Sequence, residues 1–210
     1  EAPADMVADS GDWLLLTDRG GVGQALADRL EAQGAHCRLI AEEEDPTLDE
    51  ALASRNWRGV IHLRALDNPI SEPDASSRLK EQHRLCGSAL RLAQGLIDQV
   101  KPARLWLVTQ GVAPLETGSS LTVAPASLWG LGRSIALEHP ELRCTRIDLG
   151  VAAAQVDALF AEIWAGSGED QVALSAAGRR VARLHRRIAT DQLPAAPEIS
   201  PDATYLITGG

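Results

Sequence analysis

Asp18-Arg19-Gly20-Gly21-Val22-Gly23 has the makings of a phosphate seat. An apolar run, Trp13 to Thr17, precedes it, and a helical repeat of Ala25, Leu26, Ala27 and Leu30 follows. Glycines between a strand and a helix let the backbone approach a pyrophosphate at the helix N-terminus. The fit is incomplete. Asp18 stands where such a turn opens with glycine, and its carboxylate opposes an anion of the same sign. Beyond the next apolar segment come Glu42, Glu43 and Glu44 instead of the arginine that would hold a 2'-phosphate. The turn reads as one kept for packing helix on strand.

Carbonyl reduction on such a fold needs a proton donor, usually a tyrosine whose pKa a nearby lysine lowers. The only tyrosine is Tyr205, and the two lysines, Lys80 and Lys101, do not follow it by four residues. No catalytic residue is therefore assigned. His36, His62, His83, His139 and His185 are scattered and form no metal-ligand spacing, so no metal is expected; His62, at the end of an apolar run, reads as a core histidine. Ser127 and Ser134 lie in a helical pattern without the strand-to-helix elbow of a hydrolase nucleophile. Cys37, Cys86 and Cys144 match neither a disulfide framework nor a metal site.

Trp129-Gly130-Leu131-Gly132-Arg133 is notable for packing. Two glycines inside a helix cost about 1 kcal/mol each relative to alanine, so close packing must compensate. Trp129 and Arg133, one turn apart, share a face, which suits either the core or an interface. The run Arg179, Arg180, Arg183, Arg186 and Arg187 reads as a solvated hairpin face.

Strand and helix patterns alternate along the chain. Trp13 to Thr17, Ala35 to Ile40, Gly59 to Leu63, Arg104 to Thr109 and Arg143 to Leu149 read as strands, the last with apolar residues interleaved among polar ones. Helical periods cover Gln24 to Gln33, Ala75 to Gln99, Ala126 to Glu138 and Val156 to Ala165. Gln171 to Ser175 and Arg180 to Leu184 form a hairpin around Ala176-Ala177-Gly178. This is the pattern of a parallel α/β sheet with flanking helices and a C-terminal β-hairpin. Ile188 to Ala203, with three prolines, has the composition of a linker. Thr204 to Gly210 reads as a fresh strand entering a glycine turn, with the chain cut before the helix that would complete it. A length of 210 residues suits one α/β core, and a formal charge of -9 argues against nucleic acid or an anionic membrane. No run reaches the length of a membrane span and no secretory head is present, which points to a cytoplasmic protein.

The ordered set of segments resembles the ketoreductase region of modular type I polyketide synthases. The matching pieces are Trp13-Leu14-Leu15-Leu16 with Gly20-Gly21-Val22-Gly23, Trp57-Arg58-Gly59-Val60-Ile61-His62-Leu63, Leu105 to Gly111, Leu128 to Arg133, Ala136 to Leu142, Ile147-Asp148-Leu149, Gln171 to Leu174 and Val181 to Leu184. The resemblance implies a truncated Rossmann-like, short-chain-dehydrogenase-like subdomain over residues 11–187, flanked by linkers at 1–10 and 188–203. Residues 204–210 would open the catalytic subdomain, with Gly209 and Gly210 beginning its NADPH site. It further implies that this half binds no cofactor and packs on the catalytic half. That half would reduce a β-ketoacyl chain carried by an acyl carrier protein. The alternatives left open are an independent short-chain-dehydrogenase-like oxidoreductase and the scaffold half of an inactive ketoreductase.

Overall fold

The strands around Leu14, Val60 and Leu107 are apolar on both sides, as a sheet covered on two faces requires. A computed structural model describes residues 11–42, 47–67, 74–114, 121–150, 156–186 and 199–206. Among them run β1 (Asp12–Leu16), α1 (Val22–Glu31), β2 (His36–Ile40), α2 (Leu48–Ser54), β3 (Gly59–His62), α3 (Ala75–Ile97) and β4 (Arg104–Gln110). They continue with α4 (Ala126–Glu138), β5 (Thr145–Leu149), α5 (Val156–Ala165), β6 (Gln171–Ser175) and β7 (Gly178–Val181). The strand order is β2-β1-β3-β4-β5-β6-β7, parallel except for the final antiparallel pair. This is the Rossmann-like α/β sheet expected from the alternation.

Residue alternation sorts each strand onto two faces. Leu14, Leu16, Val60, Leu105 and Leu107 pack beneath α2, α3 and α4. Trp13, Leu15, Ile61, Trp106, Val108, Ile147, Leu149, Val172 and Leu174 pack against α1 and α5. On this second face the indoles of Trp13 and Trp106 meet across β3 at 5.4 Å. Gly59 lies between them, and a Cβ there would stand 2.5 Å from one ring and 2.6 Å from the other.

Three features depart from the sequence reading. Helix α2 was hidden by its acidic surroundings, yet Leu48, Ala51 and Leu52 have helical spacing and are buried. A 3-10 turn at Arg64–Asp67 follows β3. The hairpin is tighter than expected: its second strand is Gly178–Val181 and not Arg180 to Leu184, because Ser175 pairs Gly178 and Val172 pairs Val181. Beyond Val181 only Gln171 of β6 remains to pair. Gly178, with φ of 105°, makes the short turn. Arg179 and Arg183 of the basic run are ion-paired to Glu162 and Glu169.

Candidate functional site

A doubly wound sheet binds ligands beyond the C-terminal ends of its strands, where the strand order reverses. Here that place lies between β1 and β3. The turn leaving β1 does present the N-terminal amides of α1, with Gly21 at a φ of 85°. Those amides are already occupied. Asp18 Oδ1 accepts the Gly23 N–H at 2.6 Å and Oδ2 accepts the Val22 N–H at 3.1 Å. The carboxylate is buried in the position where a phosphate would sit. Gly23 is required by packing: a Cβ there would lie 3.0 Å from Thr17 Cγ2 and 3.2 Å from Leu63 Cδ1.

Neighbouring charges close the same end. The Arg19 amide donates to Asp67 Oδ1 at 2.7 Å, and its guanidinium donates to Glu42 at 3.1 Å. Glu42 also holds Arg84 at 2.8 Å, which grips Glu81 at 2.6 Å. Glu42, placed after β2 where a ribose or its phosphate would be read, is thus neutralised by two arginines. Burial raises the Asp67 carboxyl above its ordinary value, against the Arg19 amide that lowers it, with Asp18 adding to the rise.

The second place for chemistry is the end of β4 facing α4. Trp129 and Arg133 share a face of α4, as their spacing predicts, and line a groove of about 370 Å³ with β6 and β7. The half-buried indole donates to Thr109 Oγ1 at 2.9 Å. The Thr109 hydroxyl donates to Asp148 Oδ1 at 2.7 Å. Asp148 also accepts the Val112 N–H at 3.1 Å and the Ala113 N–H at 2.8 Å. Burial raises its pKa, and these amides and the hydroxyl oppose the rise. Arg133 is exposed and donates to Gln171 Oε1 at 3.3 Å. An indole N–H and a guanidinium are donors without an acidic proton near neutral pH. Sequence reading did not find the Trp129–Thr109–Asp148 cluster; its signal was a carboxylate between Ile147 and Leu149 in the buried strand β5.

Gly132 serves another charge in β5. A Cβ there would lie 2.7 Å from Arg146 Cδ, and the fully buried Arg146 donates to the Gly132 carbonyl at 2.8 Å and to Asp170 at 2.5 Å.

His62 is a core residue, as expected. It is wholly buried, and its Nε2 lies 2.6 Å from Ser88 Oγ. Because the Ser88 hydroxyl donates to the Leu85 carbonyl at 3.0 Å, Nε2–H is the donor in the His62 contact. Burial, then Arg64 and Arg84, hold its pKa down to about 3, so it is neutral at pH 7. Burial pushes the Cys37 and Cys144 thiols up to about 12. Among the described residues no group of three or more potential ligands could hold a metal ion, and no helix is long and apolar enough to cross a membrane. Thr204 to Leu206 are exposed and in no strand. The tyrosine hydroxyl of Tyr205 accepts the Ser200 amide at 2.8 Å. Gly209 and Gly210, and most of the linker, lie outside the described residues.

Residues 13–184 match the family described as polyketide synthase extender module SpnB, Rossmann fold domain. The pikromycin polyketide synthase component PikAII of Streptomyces venezuelae is 34% identical over 218 residues, covering 95% of this chain and 6% of its own length. The structure of a C2-type ketoreductase from a modular polyketide synthase aligns with a TM-score of 0.58 and 30% identity, over 80% of this chain and 38% of that one. A small-chain dehydrogenase shares the fold, with a TM-score of 0.57 at 13% identity, over 80% of this chain and 96% of that one. The chain therefore spans a small part of the synthase and less than half of the ketoreductase that it matches.

Proposed function

This chain belongs to the Rossmann-fold domain family of polyketide synthase extender modules, and we propose that it is the non-catalytic, structural half of a ketoreductase. It packs on a catalytic half in the same polypeptide, which binds NADPH and reduces a β-ketoacyl chain held by an acyl carrier protein. The boundaries of this unit are residues 11 to 187, with linkers on either side and the catalytic half opening at residues 204–210, where Gly209 and Gly210 begin the NADPH site.

The observation that carries this reading is Asp18: its carboxylate takes the two amides that a dinucleotide phosphate would need. A phosphate entering there would have to displace an internal anion from both of its amide hydrogen bonds. The acid-base position on α4 offers Trp129 and Arg133, neither of which transfers a proton at neutral pH.

The packing role is supported by the outer faces of α3 and α4. Gly87 and Gly130 stand inside these helices, and a Cβ at either would meet nothing within 4 Å. Nothing among the described residues requires glycine there, and each costs about 1 kcal/mol of helix stability. Close approach by another helix supplies the reason. Leu79 and Leu90 are exposed along the same helix as Gly87. Trp129 and Arg133 flank this surface on the β6 side.

Titration with NADPH, followed by nicotinamide fluorescence, tests the reading. Expected are no saturable binding by the chain alone and binding once the downstream polypeptide is co-expressed. Saturable binding or turnover by the chain alone would overturn it.

A further inference from the structure

We propose that the groove between the C-terminal half of α4 and the N-terminal ends of β5 and β6 docks an acidic, partly apolar peptide segment of a protein partner. The groove holds about 510 Å³. Ala136, Leu137 and Pro140 form an apolar side, with Leu137 78% exposed, and Arg104, Arg133 and Arg143 supply the charge.

None of these three arginines forms an ion pair among the described residues. Arg104 donates to the Thr145 hydroxyl at 2.9 Å and lies 4.8 Å over the Trp106 ring, while its buried Nε has no hydrogen-bond partner. Arg133 reaches only the neutral amide of Gln171. Arg143, held at a φ of 44° after the turn that follows α4, makes no side-chain hydrogen bond or ion pair among the described residues. Two carboxylates also face the groove, and each is already engaged. Glu169 is held by Arg183 at 2.5 and 2.8 Å, and Asp170 by the buried Arg146 at 2.5 Å. Burial, then the nearby Arg143, hold the Arg104 guanidinium below its ordinary pKa, with Glu162 opposing them, and an arriving carboxylate offsets the repulsion from Arg143.

Shape selects a peptide over a single small anion. The groove continues through Arg133 and Gln171 into the one beside Trp129. From Trp129 to Leu137 α4 runs about 12 Å, the reach of about four residues of extended chain. Guanidinium groups suit paired carboxylates. The site lies at the N-terminal ends of the strands, opposite Asp18 and Asp148, so it stands or falls separately from the ketoreductase reading.

The probe is a fluorescein-labelled octapeptide alternating acidic residues with leucine, titrated with the full chain by fluorescence anisotropy beside its Asn/Gln counterpart. The acidic peptide is expected to bind at least about tenfold more tightly, and high salt to weaken it. The Arg104→Gln/Arg143→Gln double variant, checked for an unchanged thermal transition, should lose about tenfold in affinity, while Arg38→Gln on the opposite sheet edge should lose none. If the double variant unfolds, Arg143→Gln alone, at a side chain without a hydrogen bond or ion pair among the described residues, serves with the same expected direction. Equal binding of the two peptides, or undiminished binding by the variants, overturns the proposal. So does full displacement by millimolar inorganic phosphate, which would mark a small-anion site.

Discussion

At the C-terminal ends of β1 and β5, Asp18 and Asp148 turn their carboxylates onto backbone amides. At the N-terminal ends of β4 and β5, Arg104 and Arg143 share a groove and neither makes an ion pair among the described residues, although Asp170 and Glu169 beside them are paired to Arg146 and Arg183. The first end turns its carboxylates inward onto amides, and the second keeps two guanidinium groups open beside paired carboxylates. In a Rossmann-like sheet the C-terminal end is where helix N-termini gather and ligands bind. The difference teaches that the amides at this end can be satisfied by one of the chain's own side chains while the fold is kept. Fold alone does not set activity; the groups on it do.

The strongest way to break this comparison is Asp148→Ala. If the carboxylate is structural, two amides and the Thr109 hydroxyl lose their acceptor in a buried site, and stability should fall by about 3 kcal/mol in urea denaturation. A loss near zero would show that these groups are satisfied otherwise.

Next comes His62, at the same end of β3. Its pKa is about 3 in the folded chain against an ordinary 6.5, so the unfolded chain binds the proton first. Stability is therefore full above about pH 6.5 and declines as pH falls through the window toward about 3, by on the order of 1 kcal/mol per unit. Denaturation midpoints measured between about pH 7 and 5 should show this slope, and His62→Gln should flatten it.

Asp18→Ala should cost about 1 kcal/mol, the value of a lost helix cap, measurable as a lower denaturation midpoint. It sharpens the comparison by opening the anion seat without supplying the missing acid-base pair, so no reductase activity should appear.

Gly130→Ala is the smallest change and has opposite signs in two assays. The isolated chain should gain up to about 1 kcal/mol of stability, while association with the downstream half should weaken. A stability gain with unchanged association would remove Gly130 from the proposed interface.

Much of the fold was legible because the strands carry long apolar runs and the helices keep their period. Helix α2 escaped because seven residues after an acidic run and Pro46 give too short a period to read. The hairpin end was misplaced because alternation continues past Val181, whereas pairing stops where β6 runs out of residues. The departure from a glycine-only turn was visible as Asp18, but not that its carboxylate would accept the Val22 and Gly23 amides, which depends on where the side chain points. The Trp129–Thr109–Asp148 cluster joins residues up to 39 apart in sequence, and no local pattern announces such a contact. The cationic groove was equally silent, since Arg104, Arg133 and Arg143 come from three separate elements.

Gly59 has an optical consequence. By admitting two indoles to within 5.4 Å of each other across one strand, it creates a closely coupled chromophore pair in the middle of the sheet. The near-ultraviolet circular dichroism of that pair reports whether β1, β3 and β4 are in register, so the chain carries its own unlabelled gauge of native packing.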